Sequence, residues 1–265
     1  MVGQKKLLDI LEKYSIDTFP KSSLLLGEKG CGKHTYLNLI IKKLNIEALD
    51  ITDTVDFDYI LNMYARSVLT LYYIDIDKFT EKKQNVILKL LEEPPSKAFL
   101  VLLCSDKSLL LPTIINRCNV FEFEKYSRSD LESFIDTSEN KDLLCEIFRT
   151  PGQLLASNTD QIMSLYELCE KIISKIQISA YPNALSIAEK INYKDEYDKF
   201  DLTSFFRMMN HVILDNYINS SNKKLITFMN ITNDYETRLN KDKRLDKQRL
   251  FENYISKLWE NSKWN

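Results

Sequence analysis

Glycine is scarce in this chain, and most of it lies in one short segment. The 265 residues include 5 glycines, and Gly27, Gly30 and Gly32 fall within six positions. An apolar stretch at residues 23–26 precedes them, and residues 33–44 have the apolar spacing of a helix. Because glycine permits tight turns and close backbone approach, the segment predicts a strand, a tight turn and a helix in direct succession.

Apolar strand-like stretches alternate with helical stretches up to residue 125. The predicted strands are 23–26, 69–75, 98–104 and 119–124, and the predicted helices are 4–14, 33–44, 81–93 and a short one within 107–116. Apolar strands separated by helices are typical of a parallel sheet with helices on both faces. Residues 1–125 therefore predict an α/β core domain.

Beyond residue 125 the pattern is helical throughout. Helices are predicted at 127–137, 139–149, 151–158, 160–178, 182–192, 200–219, 221–240 and 243–260. A break at residues 180–182 divides this part. We therefore expect two all-helical domains, over residues 126–179 and 180–265.

Composition and charge exclude several classes of protein. A hydrophobic fraction of 44% with 28% charged residues is that of a folded chain, not a disordered one. The net charge of −2 gives no overall signal for nucleic acid or membrane. Residues 221–265 carry a local charge of +4, which fits a solvated helix face or an acidic partner. No apolar stretch approaches the ~20 residues of a membrane span, so we expect a cytoplasmic protein without a membrane partner.

The cysteines do not show the spacing of a disulfide-bonded or zinc-binding protein. They are odd in number, widely scattered and never paired as CxxC: Cys31, Cys104, Cys118, Cys145 and Cys169. This pattern is typical of a protein from a reducing compartment. We expect no zinc site, no other metal site and no disulfide.

Residues 27–34 fit the phosphate-loop pattern G-x-x-x-x-G-K. In such a loop backbone N–H groups converge on phosphate oxygens, the helix N-terminus adds partial positive charge, and Lys33 supplies a cation. A glycine-rich turn without a ligand is the alternative. The candidate nucleotide-binding residues here are Gly27, Gly30, Gly32, Lys33, His34, Thr35 and, at the end of a later strand, Asp75.

Two positions depart from what ATP hydrolysis requires. His34 stands where a Ser or Thr hydroxyl coordinates Mg²⁺, for which imidazole is a poor ligand. Thr35 is one position too late, rotated by about 100° on the helix. Ile76 follows Asp75 where a Glu orients the attacking water, and strand alternation is expected to point Asp77 the same way as Asp75. The sequence therefore predicts a vestigial nucleotide site. Alternatively, Asp75 and Asp77 belong to no such site and only end a strand.

Further motifs carry a resemblance to a known family. They are DxDKxT at 75–80, LKxLEEPP at 88–95, the pair Ser105-Asp106, and LPTIxxRC at 111–118. Together with the glycine-rich segment, their order and spacing resemble the clamp-loader branch of the AAA+ family, most of all subunits of the bacterial DNA polymerase III delta-prime type. The resemblance is strong over about residues 20–125 and weak beyond.

The resemblance implies a fold and partners. It implies an AAA+ core over residues 1–125, a helical lid over 126–179 and a helical collar over 180–265. The collar would join other clamp-loader subunits in a hetero-oligomeric ring, which places a sliding clamp on primed DNA. Residues 35–68 contain no cysteine, so the zinc module common in delta-prime subunits is missing. Frequent Asn, Lys and Ile, with this missing module, point to a reduced bacterium or a phage.

The resemblance also implies roles for single residues. Arg117 matches an arginine that reaches into the neighbouring subunit's ATP site in trans, and Ser105 lies where active relatives sense the γ-phosphate. Gln153 stands in place of a sensing arginine of the lid. With His34 and Ile76, these departures imply a subunit that completes a partner's ATPase site without independent ATPase activity.

Other interpretations stay open on the sequence. Arg117 could be a surface arginine at a helix end. The chain could be an active ATPase subunit, with Thr35, Asp77 or a water molecule replacing the missing groups. It could also be a standalone AAA+ replication adaptor, such as a helicase loader.

Overall fold

The chain divides into two compact units. In the computed structural model, the described residues are 2–56, 59, 63–64, 67–135, 141–157, 159–178, 202–241 and 245–263. The first unit comprises Met1–Phe134 and Thr150–Gln153, and the second comprises Ile135–Arg149 and Leu154–Asn265. The expected boundary between lid and collar lies outside the described residues, so the division into three domains stays a prediction.

A five-stranded parallel sheet forms the centre of the first unit. Its strands are β1 (Ser22–Leu26), β2 (Glu47–Asp50), β3 (Thr70–Asp75), β4 (Ala98–Cys104) and β5 (Asn119–Glu122), in the order β2-β3-β4-β1-β5. The four predicted strands are confirmed, whereas β2 was not predicted. It is an edge strand without a fully buried residue, so it lacks the apolar run by which the others were recognised.

Helices accompany the sheet over the described residues of the first unit. They are α1 (Lys5–Glu12), α2 (Lys33–Leu44), α3 (Glu81–Glu92), α4 (Pro112–Ile115) and α5 (Arg128–Glu132). The side chain of Thr80 caps α3 by accepting from the backbone N–H of Lys83. The short helix predicted within 107–116 is found as α4, and a 3₁₀ turn at Lys107–Leu109 precedes it. Pro112, which has no N–H, stands at the first position of α4.

Apolar side chains cover both faces of the sheet. In β1, Leu24 and Leu26 pack in a cluster with residues of α3 and α4, while Leu25 packs in a second cluster with residues of α1 and α2. Successive strand residues point to opposite faces, and every residue of β4 is buried. The predicted α/β arrangement, a parallel sheet with helices on both faces, is confirmed.

The second unit is helical over its described residues. Its helices are α6 (Lys141–Ile147), the end of α7 (Pro151–Ala156), α8 (Thr159–Ile178), α9 (Leu202–Ser220), α10 (Lys224–Lys241) and α11 (Lys247–Lys263). Phe205, Phe206 and Tyr254 are buried at its centre, with edge-to-face ring contacts among them. The helix predicted at 182–192 lies outside the described residues.

The helices and the cysteines bear on whether the chain spans a membrane or forms disulfides. Among the residues that the structure describes, no helix combines the length and apolar character needed to span a bilayer. All five cysteines are free thiols.

Candidate functional site

The glycine loop, residues 27–32, connects β1 to α2. The Gly27 N–H donates to the Cys104 carbonyl at 3.0 Å. A Cβ at Gly27 would lie 2.6 Å from Cβ of Phe123 and 2.8 Å from Sγ of Cys31, so no larger residue fits there. Gly32 has a φ of 97° and lies at the N-cap of α2, where no side chain caps the first turn. The loop therefore presents an uncapped helix N-terminus, the element that binds phosphate in proteins.

A turn from elsewhere in the chain packs directly on this loop. The Gly152 N–H donates to the Gly30 carbonyl at 2.9 Å, and the Thr150 hydroxyl donates to the Lys29 carbonyl at 2.9 Å. A Cβ at Gly152 would lie 2.6 Å from Cα of Gly30. Gly30 itself has a φ of 84°, which favours glycine. The turn at Thr150–Gln153 thus packs on the loop, and the backbone N of Gln153 lies 3.0 Å from where a Cβ at Gly30 would stand.

Lys33 is engaged with the loop itself. Its ammonium group donates to the carbonyls of Gly27 and Glu28, the latter at 3.1 Å. A bound phosphate would have to draw this cation away from two carbonyl oxygens. In the conformation observed, the charge expected to face a phosphate is satisfied within the chain.

The two residues after Lys33 are exposed. The ring of His34 lies edge-on to Tyr73, with centroids 6.5 Å apart. Thr35 lies on the first turn of α2 and carries a hydroxyl. Since Mg²⁺ prefers hard oxygen ligands in near-octahedral geometry, the His34 imidazole does not fit a metal–nucleotide complex. Among the described residues, no group of three His, Cys, Asp or Glu side chains could hold a metal ion.

The carboxyl end of β3 differs from the expected continuation of the strand. β3 ends at Asp75, and residues Ile76–Lys78 form a 3₁₀ turn, so strand alternation does not govern Asp77. Ile76 is 1% exposed and belongs to the apolar core. The position where a catalytic glutamate would stand is therefore occupied by a core side chain.

Asp77 and Ser105 join the ends of two neighbouring strands. The Ser105 backbone N–H donates to Oδ1 of Asp77 at 2.9 Å and to Oδ2 at 3.1 Å. The next residue, Asp106, accepts from the Ser108 N–H at 2.8 Å and so caps the turn at Lys107–Leu109. The structure thus brings Ser105 beside Asp77. The carboxylates of Asp77 and Asp106 both accept hydrogen bonds from nearby backbone N–H groups.

A buried threonine organises the site and was not found from the sequence. Thr52 accepts from the Asp75 N–H at 2.9 Å and donates to the Asp50 carboxylate at 2.6 Å. Lys83 donates to its carbonyl at 2.8 Å. Thr52 follows β2, so the signal was missed together with that strand.

Burial suppresses the acidity of the thiols near the site. It raises the pKa of Cys104 to about 12, with a smaller contribution from the Asp77 carboxylate. Burial also raises the pKa of Cys31 in the loop, and it raises the pKa of Cys118 to about 12. Because the thiolate is the reactive form, burial holds these three thiols in their less reactive, protonated form.

Arg117 lies directly after α4, in a different environment. Its Nη1 donates to the Thr113 carbonyl at 3.0 Å, and its Nη2 donates to Oε1 of Glu92 at 2.6 Å. Its side chain is 35% exposed. These partners belong to the LPTIxxRC and LEEPP motifs, so the structure joins two motifs that the sequence shows separately. The structure does not bring Arg117 into hydrogen-bonding contact with the glycine loop.

Gln84 is a second buried polar residue that the sequence did not reveal. Its Nε2 donates to the Leu109 carbonyl at 2.8 Å, and its Oε1 accepts from the Leu111 N–H at 2.9 Å. A glutamine on a helix carries no sign of burial in the sequence. It ties the start of α3 to the segment that leads into α4.

Comparison with known proteins gives partial matches. Residues 66–127 match the family model described as "DNA polymerase III, delta subunit". The DNA polymerase III subunit gamma of Buchnera aphidicola subsp. Schizaphis graminum is 26% identical over 170 residues, covering 51% of this chain and 47% of that protein. The replication factor C small subunit of Methanococcus maripaludis is 25% identical over 213 residues, covering 70% of this chain and 68% of that protein. The chain thus spans about half the length of the gamma subunit that it matches.

A solved structure covers nearly the whole chain. A DNA polymerase III gamma subunit-related protein from Thermotoga maritima aligns over 98% of this chain and 99% of its own, with a TM-score of 0.45 and 17% identity. The sequence matches agree with the motifs and with the parallel sheet. The chain is thus similar to clamp-loader proteins of the DNA polymerase III and replication factor C type.

Proposed function

We propose that this chain is a clamp-loader subunit of the delta-prime type, which supplies Arg117 to the ATP site of a neighbouring subunit and does not hydrolyse ATP at its own glycine loop. The observation that carries the proposal is the contrast between Ile76 and Arg117. Ile76, directly after Asp75, is buried in the core, whereas the side chain of Arg117 is 35% exposed and has N–H donors beyond those bonded to Thr113 and Glu92.

The geometry of the chain's own loop supports a silent site. The loop and the start of α2 fit a phosphate group, which backbone N–H groups and a released Lys33 would hold. ATP binding is therefore compatible with the fold. Hydrolysis is not supported, because His34 replaces the magnesium hydroxyl and Ile76 is a core residue.

The surroundings of Arg117 support a role in trans. An arginine finger stabilises the charge that develops on the transferred phosphoryl group. Such a group must be reachable by a neighbouring molecule, and a side chain that is 35% exposed at the end of a short helix meets this condition. The proposed partners are the other loader subunits and, through the ring, a sliding clamp and primed DNA.

The test has two parts. The isolated chain is assayed for ATP hydrolysis with Mg²⁺, and we expect no turnover above background. The complex with its loader subunits is then assayed with Arg117→Ala, for which we expect a loss of kcat on the order of 10³-fold at the dependent site. Arg128→Ala is the matched control, since Arg128 is another exposed arginine of the first unit. Undiminished turnover with Arg117→Ala contradicts the finger role, and Mg²⁺-dependent turnover by the isolated chain favours an active ATPase.

A further inference from the structure

The exposed carboxylate of Glu92 is bonded to Arg117. We propose that Glu92 is a positioning residue, which orients the Arg117 guanidinium before it meets the phosphates of a neighbouring subunit. The inference rests on the proposed function for its kinetic consequence. The orientation itself is a property of this chain alone.

Glu92 is the last residue of α3, and Arg117 follows α4. Two polar links join these helices. Gln84, near the start of α3, holds the backbone of Leu109 and Leu111 from within the core. Glu92, at the other end of α3, holds the guanidinium through Oε1 and Nη2, 2.6 Å apart. The segment that carries Arg117 is thus fixed at its base by Gln84, and its functional group is fixed by Glu92.

The position of Glu92 is unfavourable for helix stability. A carboxylate in the last turn of a helix lies beside the negative end of the helix dipole. Its side chain is 49% exposed and that of Arg117 is 35% exposed, and ion pairs with this exposure contribute little to folding. The contact is therefore better explained by what it does to the direction of the guanidinium than by stability.

The bonds of Arg117 leave part of its donor set available. A guanidinium has five N–H groups in a fixed planar fork. One Nη1–H is directed to the Thr113 carbonyl and one Nη2–H to Glu92. With two of its donors anchored on one side, the plane of the fork is defined, and the other donors keep their direction. Such preorganisation lowers the cost of reaching the productive geometry.

The first experiment uses the isolated full chain. The order parameter of the Arg117 Nε–Hε group is measured by ¹⁵N relaxation in the unmodified chain and in Glu92→Ala, Glu92→Gln and Glu93→Ala. We expect an ordered group in the unmodified chain and in Glu93→Ala, and a fall below about 0.6 in Glu92→Ala. Glu92→Gln keeps an acceptor and retains most of the order. An Arg117 group that stays equally ordered in Glu92→Ala overturns the proposal.

Folding is monitored in the same samples. Because the pair is exposed, Glu92→Ala shifts Tm by no more than about 2–4 °C. Glu93 is the matched control, since it is the neighbouring glutamate of the same motif and its side chain takes no part in the bond to Arg117. If order is lost equally in both variants, the effect is not specific to the Glu92 bond and the proposal fails.

The second experiment measures kcat and KM for ATP in the loader complex. We expect Glu92→Ala to lower kcat by about 10- to 100-fold, the range for a misplaced catalytic group, with KM unchanged. Combined with Arg117→Ala, it should cause no further loss, since it acts only through that residue. If Arg117→Ala has no effect, the proposed function fails while the relaxation result stands. If Arg117→Ala lowers kcat and Glu92→Ala does not, the positioning role fails alone.

Discussion

The glycine loop and the Arg117 segment belong to the same unit, and both bind their charged groups within the chain, yet they differ in what stays available. In the loop, the Lys33 ammonium is bound to carbonyls of the loop, and the Asp77 carboxylate accepts from Ser105. At Arg117, two N–H groups of the guanidinium are bonded to Thr113 and Glu92, and the side chain stays 35% exposed with further donors. The comparison teaches that the glycine loop can be retained for its hydrogen bonds within the chain, while the nearby motif that carries Arg117 stays accessible to a partner.

The largest effect is expected after β3, where Ile76 stands in place of the glutamate that hydrolysis would require. Ile76→Glu introduces the missing carboxylate, but Ile76 is buried in the core. An unpaired buried charge costs about 3–5 kcal/mol of unfolding free energy, which urea denaturation measures. The loss should be smaller at pH 4 than at pH 7, because burial raises the pKa of a carboxyl group and the protonated form is tolerated. A stable variant that hydrolyses ATP would contradict the interpretation of Ile76 as a core residue that cannot be replaced by a carboxylate.

The next effect concerns the packing of the loop against the turn at Thr150–Gln153. Gly30→Val places a branched side chain at a φ of 84°, with its Cβ 2.7 Å from the Thr150 hydroxyl oxygen. Strain and overpacking together should cost about 3 kcal/mol. Lys29→Ala is the control, since the backbone carbonyl that accepts from Thr150 is retained. Equal stability of the two variants in urea would show that the turn does not fix the loop.

A smaller effect is expected at Thr52. Thr52→Val keeps the shape but removes the acceptor of the Asp75 N–H and the donor to Asp50. A buried group left without its partner costs about 1–3 kcal/mol. Thr52→Ser, which retains the hydroxyl, should recover most of this loss in the same denaturation experiment. If the serine variant is no more stable than the valine variant, the hydroxyl is not the cause.

The smallest effect is expected at His34. His34→Thr restores a hydroxyl at an exposed position, so its effect on stability should stay within about 0.5 kcal/mol. We expect no ATP hydrolysis by this variant, because Ile76 and Gln153 are unchanged. A hydrolysis assay with Mg²⁺ checks this, and turnover by the variant would mean that one hydroxyl separates the loop from an active site.

The sequence predicted the parts of the fold that rest on continuous apolar runs. Strand β4, with seven buried residues, and helix α2, with its regular apolar spacing, were found with bounds close to those observed. Strand β2 was missed because it is a partly exposed edge strand. Within 107–116, the expected short helix is α4, which begins at Pro112, whereas the 3₁₀ turn at Lys107–Leu109 before it was not predicted.

The candidate site was predicted as a set of positions, not as a set of contacts. The glycines and Lys33 follow from motif spacing, and Arg117 follows from the resemblance to clamp loaders. That Lys33 bonds to carbonyls of its own loop is a local contact the motif does not show, and that Arg117 bonds to Glu92 is a result of the packing of two helices. Gln84 was not found, because only the tertiary structure shows that this polar helix residue is buried.

The contact between Gly30 and Gly152 has a consequence for folding. It joins residues that are 122 positions apart, and closing so long a loop loses much chain entropy before any contact offsets it. The sheet around β1 closes over shorter separations, since β1 pairs with β4 and β5, whereas the turn at Thr150–Gln153 comes from further along the chain. We therefore expect substitutions at Gly152 to accelerate unfolding with little change in the folding rate. The loop would be completed at a late step, after the sheet that carries it.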